Sequence, residues 1–211
     1  MPVFYNDKIL YLHIPKCGGL SVTSAARASL PGYVEPGVKR KDHKPGLPIG
    51  HIRADDFEAF TGIPLSHFDV VFATIRNPVD CEWSKWNFWR RRYYMDTDSV
   101  TWRHPADEYC WRHSFYKYVE NGVEPFNDWY ADSIQPTIQK DYNEVGRFNW
   151  WVNDKVVLFD INDNKGIESL LKKYGCTAPL RHIHKTGTGK ACISRGYKDK
   201  IGSYYNERLA R

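Results

Sequence analysis

The 211-residue chain has no apolar run near the ~20 residues that a bilayer-spanning helix needs. Its first residues lack a secretory pattern, because Lys8 stands beside an apolar stretch only a few residues long. These two absences predict a cytoplasmic protein with no membrane association. Paired cysteines are missing as well. Cys17, Cys81, Cys110, Cys176 and Cys192 are odd in number, widely scattered and without CxxC spacing, which argues against a disulfide framework and fits reduced thiols. No nucleic-acid-binding motif occurs, and no His and Cys set has the spacing of a metal centre. Neither nucleic acid nor a metal ion is therefore expected as a partner.

What is present is ordinary in bulk and uneven in detail. Hydrophobic residues at 42% and charged residues at 26% describe a globular chain, and the length suits a single domain with a full core. The formal charge of +5 fits an anionic ligand without requiring one. Aromatic residues make up 15% of the chain and concentrate between Trp83 and Trp151. At about 95–150 that stretch reads as helical and aromatic-rich. Trp86, Trp89 and Tyr93 recur at helical spacing, which favours packing over ligand contact for most of these rings.

The chain is organised around Ile9 to Ser21, Ile-Leu-Tyr-Leu-His-Ile-Pro-Lys-Cys-Gly-Gly-Leu-Ser. Leu10, Leu12 and Ile14 on one side read as a buried strand. Pro15, Gly18 and Gly19 then force a turn before an alanine-rich helix from Ser21 to Leu30, with Ser21 as its cap. Two glycines let the backbone approach a ligand closely, the first amides of a helix have no internal acceptor, and Lys16 adds a positive charge. The combination is an anion cradle. It differs from the nucleotide-kinase P-loop, which places its Lys after the last glycine and follows it with a magnesium-holding Ser or Thr.

A second motif follows a second strand. Phe68 to Ile75 is a short, nearly continuous apolar run typical of a parallel strand buried on both faces, and it ends in Arg76-Asn77-Pro78. Pro78 suits the first turn of a helix that carries Ser84 about two turns along. Arg76 offers a planar, permanently charged fork suited to a phosphate. Between the motifs, His51 lies in a loop before a short acid-led helix at 54–60. Its imidazole, with a pKa near working pH, has the chemistry of a general base. Lys155 to Ile161 is a third strand, and Asp163 to Tyr174 a helix ended by Gly175. A basic, glycine-rich segment from His182 to Lys190 and a last helix from Ser194 to Ala210 complete the chain.

The order Lys-Cys-Gly-Gly-Leu-Ser, followed by Arg76 and Ser84 eight positions apart, resembles the paired signatures of the PAPS-dependent sulfotransferases. These are the Golgi-type carbohydrate enzymes and their bacterial and viral relatives; PAPS is 3'-phosphoadenosine 5'-phosphosulfate. The resemblance covers the first 90 residues well, the part from Lys155 moderately and the middle hardly at all. It implies that Lys16, Gly18, Gly19, Leu20 and Ser21 hold the 5'-phosphosulfate, that Arg76 and Ser84 hold the 3'-phosphate, and that His51 is the base. Lys185, Lys190 and Arg195 match a basic loop that closes over the nucleotide. Cys17, Leu20 and Asn77 depart from the family pattern, and Leu20 removes one hydroxyl donor to the phosphate.

Three strand-then-helix units predict an α/β fold, a three-layer parallel sheet flanked by helices with the ligand at the carboxyl ends of the strands. The resemblance narrows this to the P-loop nucleotide-hydrolase-like fold of sulfotransferases. It implies transfer of a sulfuryl group from PAPS to a hydroxyl acceptor, a carbohydrate or small alcohol, leaving adenosine 3',5'-bisphosphate (PAP), with no metal required. The alternatives are an atypical P-loop kinase and a non-catalytic nucleotide- or anion-binding protein.

Overall fold

Short runs of β-branched and aromatic residues build the strands, and alanine-, leucine- and aromatic-rich stretches build the helices around them. A computed structural model describes residues 3–35, 52–95, 110–120, 151–181 and 193–206. Its elements are β1 (Phe4–Tyr5), β2 (Ile9–Leu12), α1 (Gly19–Ser29), α2 (Phe57–Thr61), β3 (Val70–Ile75), α3 (Pro78–Met95), α4 (Phe115–Glu120), β4 (Val156–Asp160), α5 (Asn164–Lys173) and α6 (Arg195–Asn206). The chain divides into two compact units. Met1–Arg76 with Phe148–Lys185 forms the first, and Asn77–Arg147 with Thr186–Arg211 the second.

The first unit is a four-stranded sheet in the order β1-β2-β3-β4. β1 runs antiparallel to β2, and β2, β3 and β4 are parallel. The hairpin between β1 and β2 is tied by Asn6, whose side-chain oxygen accepts from the amides of Lys8 and Ile9, each at 2.9 Å. The parallel register leaves two strand ends offset. Ile9 stands opposite Val70 and Leu12 opposite Ala73, so β3 continues through Thr74 and Ile75 after β2 has ended. The chain leaving β2 therefore passes beside the last residues of its neighbour.

Helices lie on both faces of the sheet. On one face, Phe4, Ile9, Tyr11 and Phe72 pack with Val22, Ala26 and Leu30 of α1 and Ile167 and Leu171 of α5. Each of the Val, Leu, Ile and Phe side chains among them contributes ~1.5–3 kcal/mol when withdrawn from water. On the other face, the Tyr5 ring meets Phe57 of α2 at 6.2 Å and Phe68 at 5.8 Å. α5 opens on Asp163, whose carboxylate accepts from Gly166 N at 2.9 Å, and ends before Gly175 at φ 89°. The expected α/β architecture is thus a mostly parallel sheet flanked by helices.

The described residues of the second unit are mainly helical. α3 packs on α4 and α6, and α4 on α6. Trp83, Trp86 and Phe115 form a ring cluster with centroids 4.9 to 5.9 Å apart. Beside it, buried Glu82 accepts from Lys85 Nζ and from Tyr118 Oη, both at 2.7 Å. A charge held away from water requires such pairing. Tyr197 of α6 donates to Glu120 of α4 at 2.5 Å and sets its ring 4.6 Å from that of Tyr116.

Several boundaries differ from the sequence reading. The strand predicted through Ile14 ends at Leu12, although Ile14 is still buried. α1 begins at Gly19, so Ser21 lies inside the helix and its cap is Gly18. The helical stretch expected at about 95–150 is interrupted within its described part. Residues 110–112 are helical, His113 and Ser114 are not, and the Ser114 hydroxyl caps α4 by accepting from Lys117 N at 3.3 Å. No helix among the described residues is long and apolar enough to cross a membrane.

Candidate functional site

Six residues, 13–18, connect β2 to α1, and their backbone is unusual. Lys16 has φ 63° and Gly18 φ 81°, both in the left-handed region. For Lys16 that conformation costs on the order of 1 kcal/mol, and it persists only because neighbours hold it. Cys17 N donates to Ile14 O at 3.3 Å, and Arg76 Nη1 donates to Lys16 O at 3.4 Å. Left-handed Gly18 followed by helical Gly19 turns the successive amides of Gly18, Gly19 and Leu20 toward one concavity, a nest for anions at a helix start.

Side chains are excluded from both glycines by their surroundings. A Cβ at Gly18 would stand 2.4 Å from Ile161 Cδ1, and one at Gly19 would stand 1.9 Å from His13 Nε2. The glycines are thus required by close packing against Ile161 and His13, while Lys16 within the loop and Arg76 against its backbone add two cationic residues. Arg76 is the residue just after β3, which is why the parallel register delivers it to this loop. Such a donor set of N–H groups and permanent cations suits an anion of the phosphate or sulfate kind.

Beneath the loop runs a buried polar chain. Thr74 Oγ1 donates to Cys17 O at 2.6 Å, and Tyr11 Oη lies 2.8 Å from Thr74 Oγ1. A hydroxyl has one proton to give, so Tyr11 is the donor in the second bond. Burial pushes the Tyr11 phenol well above its ordinary value, which keeps that proton in place. The His13 ring, itself buried, lies nearly flat on Tyr11 at 6.1 Å and 19°.

Of the residues expected to form the site, Lys16, Gly18, Gly19, Leu20, Ser21 and Arg76 come together here. Ser21 N is committed to Gly18 O at 3.0 Å in the first helical turn. Ser84 is buried on α3 in the second unit. Arg195 opens α6 in that unit, highly exposed and 3.9 Å from Asp199. His51, Lys185 and Lys190 lie outside the described residues. The chain just after His51 is anchored: Arg53 pairs with Asp55 at 3.3 Å and Asp56 at 3.7 Å, and Asn153 Nδ2 donates to Asp55 at 2.7 Å.

Sequence reasoning passed over Tyr11, His13, Thr74 and Ile161. The alternation of strand side chains puts Tyr11 and His13 on one side, so that pair was open to detection. Thr74 and Ile161 depend on strand register and carry no local signal. No family model, curated protein or solved structure matches the chain.

Proposed function

We propose that this protein is a sulfotransferase that moves the sulfuryl group of PAPS to a hydroxyl acceptor, a carbohydrate or small alcohol. The observation that supports the reading most is the guanidinium of Arg76 on the backbone of a two-glycine loop that also carries Lys16. The residues present fit the donor: amides at a helix start and two cations suit a nucleotide with a phosphosulfate and a separate phosphate.

In this reading Lys16 and the amides of Gly18, Gly19 and Leu20 would hold the 5'-phosphosulfate, with Ser21 beside them, and Arg76 would grip the 3'-phosphate. PAPS supplies an activated sulfuryl group and a leaving phosphate that is already a stable anion. The protein's work is then positioning and charge stabilisation, by analogy with phosphoryl transfer through a loose transition state. Lys16 neutralises the charge that grows on the departing phosphate oxygen, and His51 removes the acceptor's proton. The parts of Ser84, Lys185, Lys190 and Arg195 rest on motif spacing and chain order.

The direct test is incubation with PAPS labelled in its sulfuryl group and a panel of sugar and small-alcohol acceptors. Acceptor-dependent release of PAP, with label on the acceptor, is the expected result. ATP consumption that depends on magnesium, without PAP release, would replace this reading with a kinase.

A further inference from the structure

Leu12 pairs with Ala73, so Thr74 is the first residue of β3 beyond the paired end of β2. The loop folds back over it. The Thr74 side chain is fully buried and its hydroxyl donates to the Cys17 carbonyl at 2.6 Å, with Tyr11 donating to Thr74 from the far side. In a trans peptide the C=O and the N–H point in opposite directions. Drawing the Cys17 carbonyl onto Thr74 therefore turns the Gly18 N–H away from the sheet. Among the described residues no acceptor meets that N–H.

We infer that Thr74, oriented by Tyr11, is a positioning residue for the anion loop, fixing the Cys17–Gly18 peptide so that the Gly18 N–H faces the bound phosphate or sulfate oxygens. The inference rests on the anion-binding reading of the loop. A turned peptide would present the carbonyl oxygen, a partial negative charge, to the same ligand. The Thr74 hydroxyl thus sets the sign of the backbone dipole that the anion meets. This explains why a hydroxyl occupies an otherwise apolar strand, Val-Val-Phe-Ala-Thr-Ile. Left-handed Gly18 contributes the remaining geometry, because its φ of 81° carries the next amides round to the same concavity.

The test titrates wild type, Thr74→Val, Thr74→Ser and Tyr11→Phe with inorganic pyrophosphate and with PAP, following heat and the Gly18 amide resonance, below the melting temperature of every variant. In wild type the Gly18 amide proton moves downfield with either ligand. Thr74→Val weakens both ligands by about tenfold and loses that shift, and Thr74→Ser stays within about twofold of wild type. Tyr11→Phe, which keeps the Thr74 hydroxyl but frees it to rotate, loses about threefold. A merely structural role would lower the melting temperature of Thr74→Val and leave affinity and shift intact, which overturns the inference. Should Thr74→Val fail to fold, Thr74→Ser and Tyr11→Phe carry the decision, and wild-type affinity in Tyr11→Phe counts against it. Pyrophosphate binding without PAP binding in wild type would sink the nucleotide reading alone. If wild type bound neither ligand, both would fall.

Discussion

His13 and Gly19 are packed so closely that a methyl group on Gly19 would stand 1.9 Å from His13 Nε2. The imidazole is buried, with its ring nearly parallel to that of Tyr11, and Gly19 is the first residue of α1. Gly18 is constrained twice, by Ile161 and by its left-handed backbone, whereas Gly19 is constrained by packing alone. The first helical turn is consequently packed against the residue that follows β2.

Gly19→Ala should destabilise the fold by ~1–3 kcal/mol, the usual cost of overpacking. Adding His13→Ala should recover part of that loss, because the space vacated by the imidazole accepts the methyl group. Chemical unfolding of the two single variants and the double variant measures the coupling. Strictly additive effects would contradict the contact.

Lys16→Ala should lower kcat by ~10²–10³, the scale of removing one preorganised charge stabiliser. PAP affinity should fall less, because the amides of the nest and Arg76 remain. Steady-state kinetics beside PAP titration separate the two effects. A loss confined to binding would remove Lys16 from the leaving-group role.

His51→Ala should lower kcat by ~10²–10⁴ and leave PAP affinity within experimental spread, as expected of a general base that touches the acceptor and not the donor. Full retention of activity would move the base elsewhere.

Tyr11 and Tyr118 are wholly buried, and burial pushes both phenols well above the usual tyrosine range. In the unfolded chain these protons leave near pH ~10, while the folded chain still holds them. The unfolded state then binds fewer protons, so stability falls as pH rises above ~10 and is fully present below it. Tyr11→Phe with Tyr118→Phe should be less stable at neutral pH, having lost two buried hydrogen bonds, yet flatter between pH ~10 and ~12. Denaturant midpoints across that range provide the check, and an unchanged slope would show that these phenols are not the cause.

The three parallel strands and the strand-loop-helix unit were legible because they depend on local pattern: apolar runs at Ile9, Phe68 and Val156, and Pro15, Gly18 and Gly19 between the first of them and its helix; the two-residue β1 was not. Where α1 starts was not. Ser21 is a good capping residue by type, but left-handed Gly18 begins the helix earlier with no side-chain cap. The break at Ser114 was hidden in a stretch whose aromatic spacing continues unbroken. Thr74 was invisible because its bond to Cys17 spans 57 residues and exists only in one strand register. Arg76 was legible as a cation after a strand, but its approach to Lys16 O required the parallel pairing of β2 and β3.

Everything proposed above depends on a donor site built on the Lys16–Ser21 loop with Arg76. Calorimetric titration with PAP, with ATP for comparison and Arg76→Ala as control, tests it most directly. Magnesium-independent binding that prefers PAP and weakens by ~10- to 100-fold in the variant is the expected result, since a charge-assisted phosphate contact is lost. Binding of ATP with magnesium and none of PAP, or PAP binding unchanged by Arg76→Ala, would contradict it.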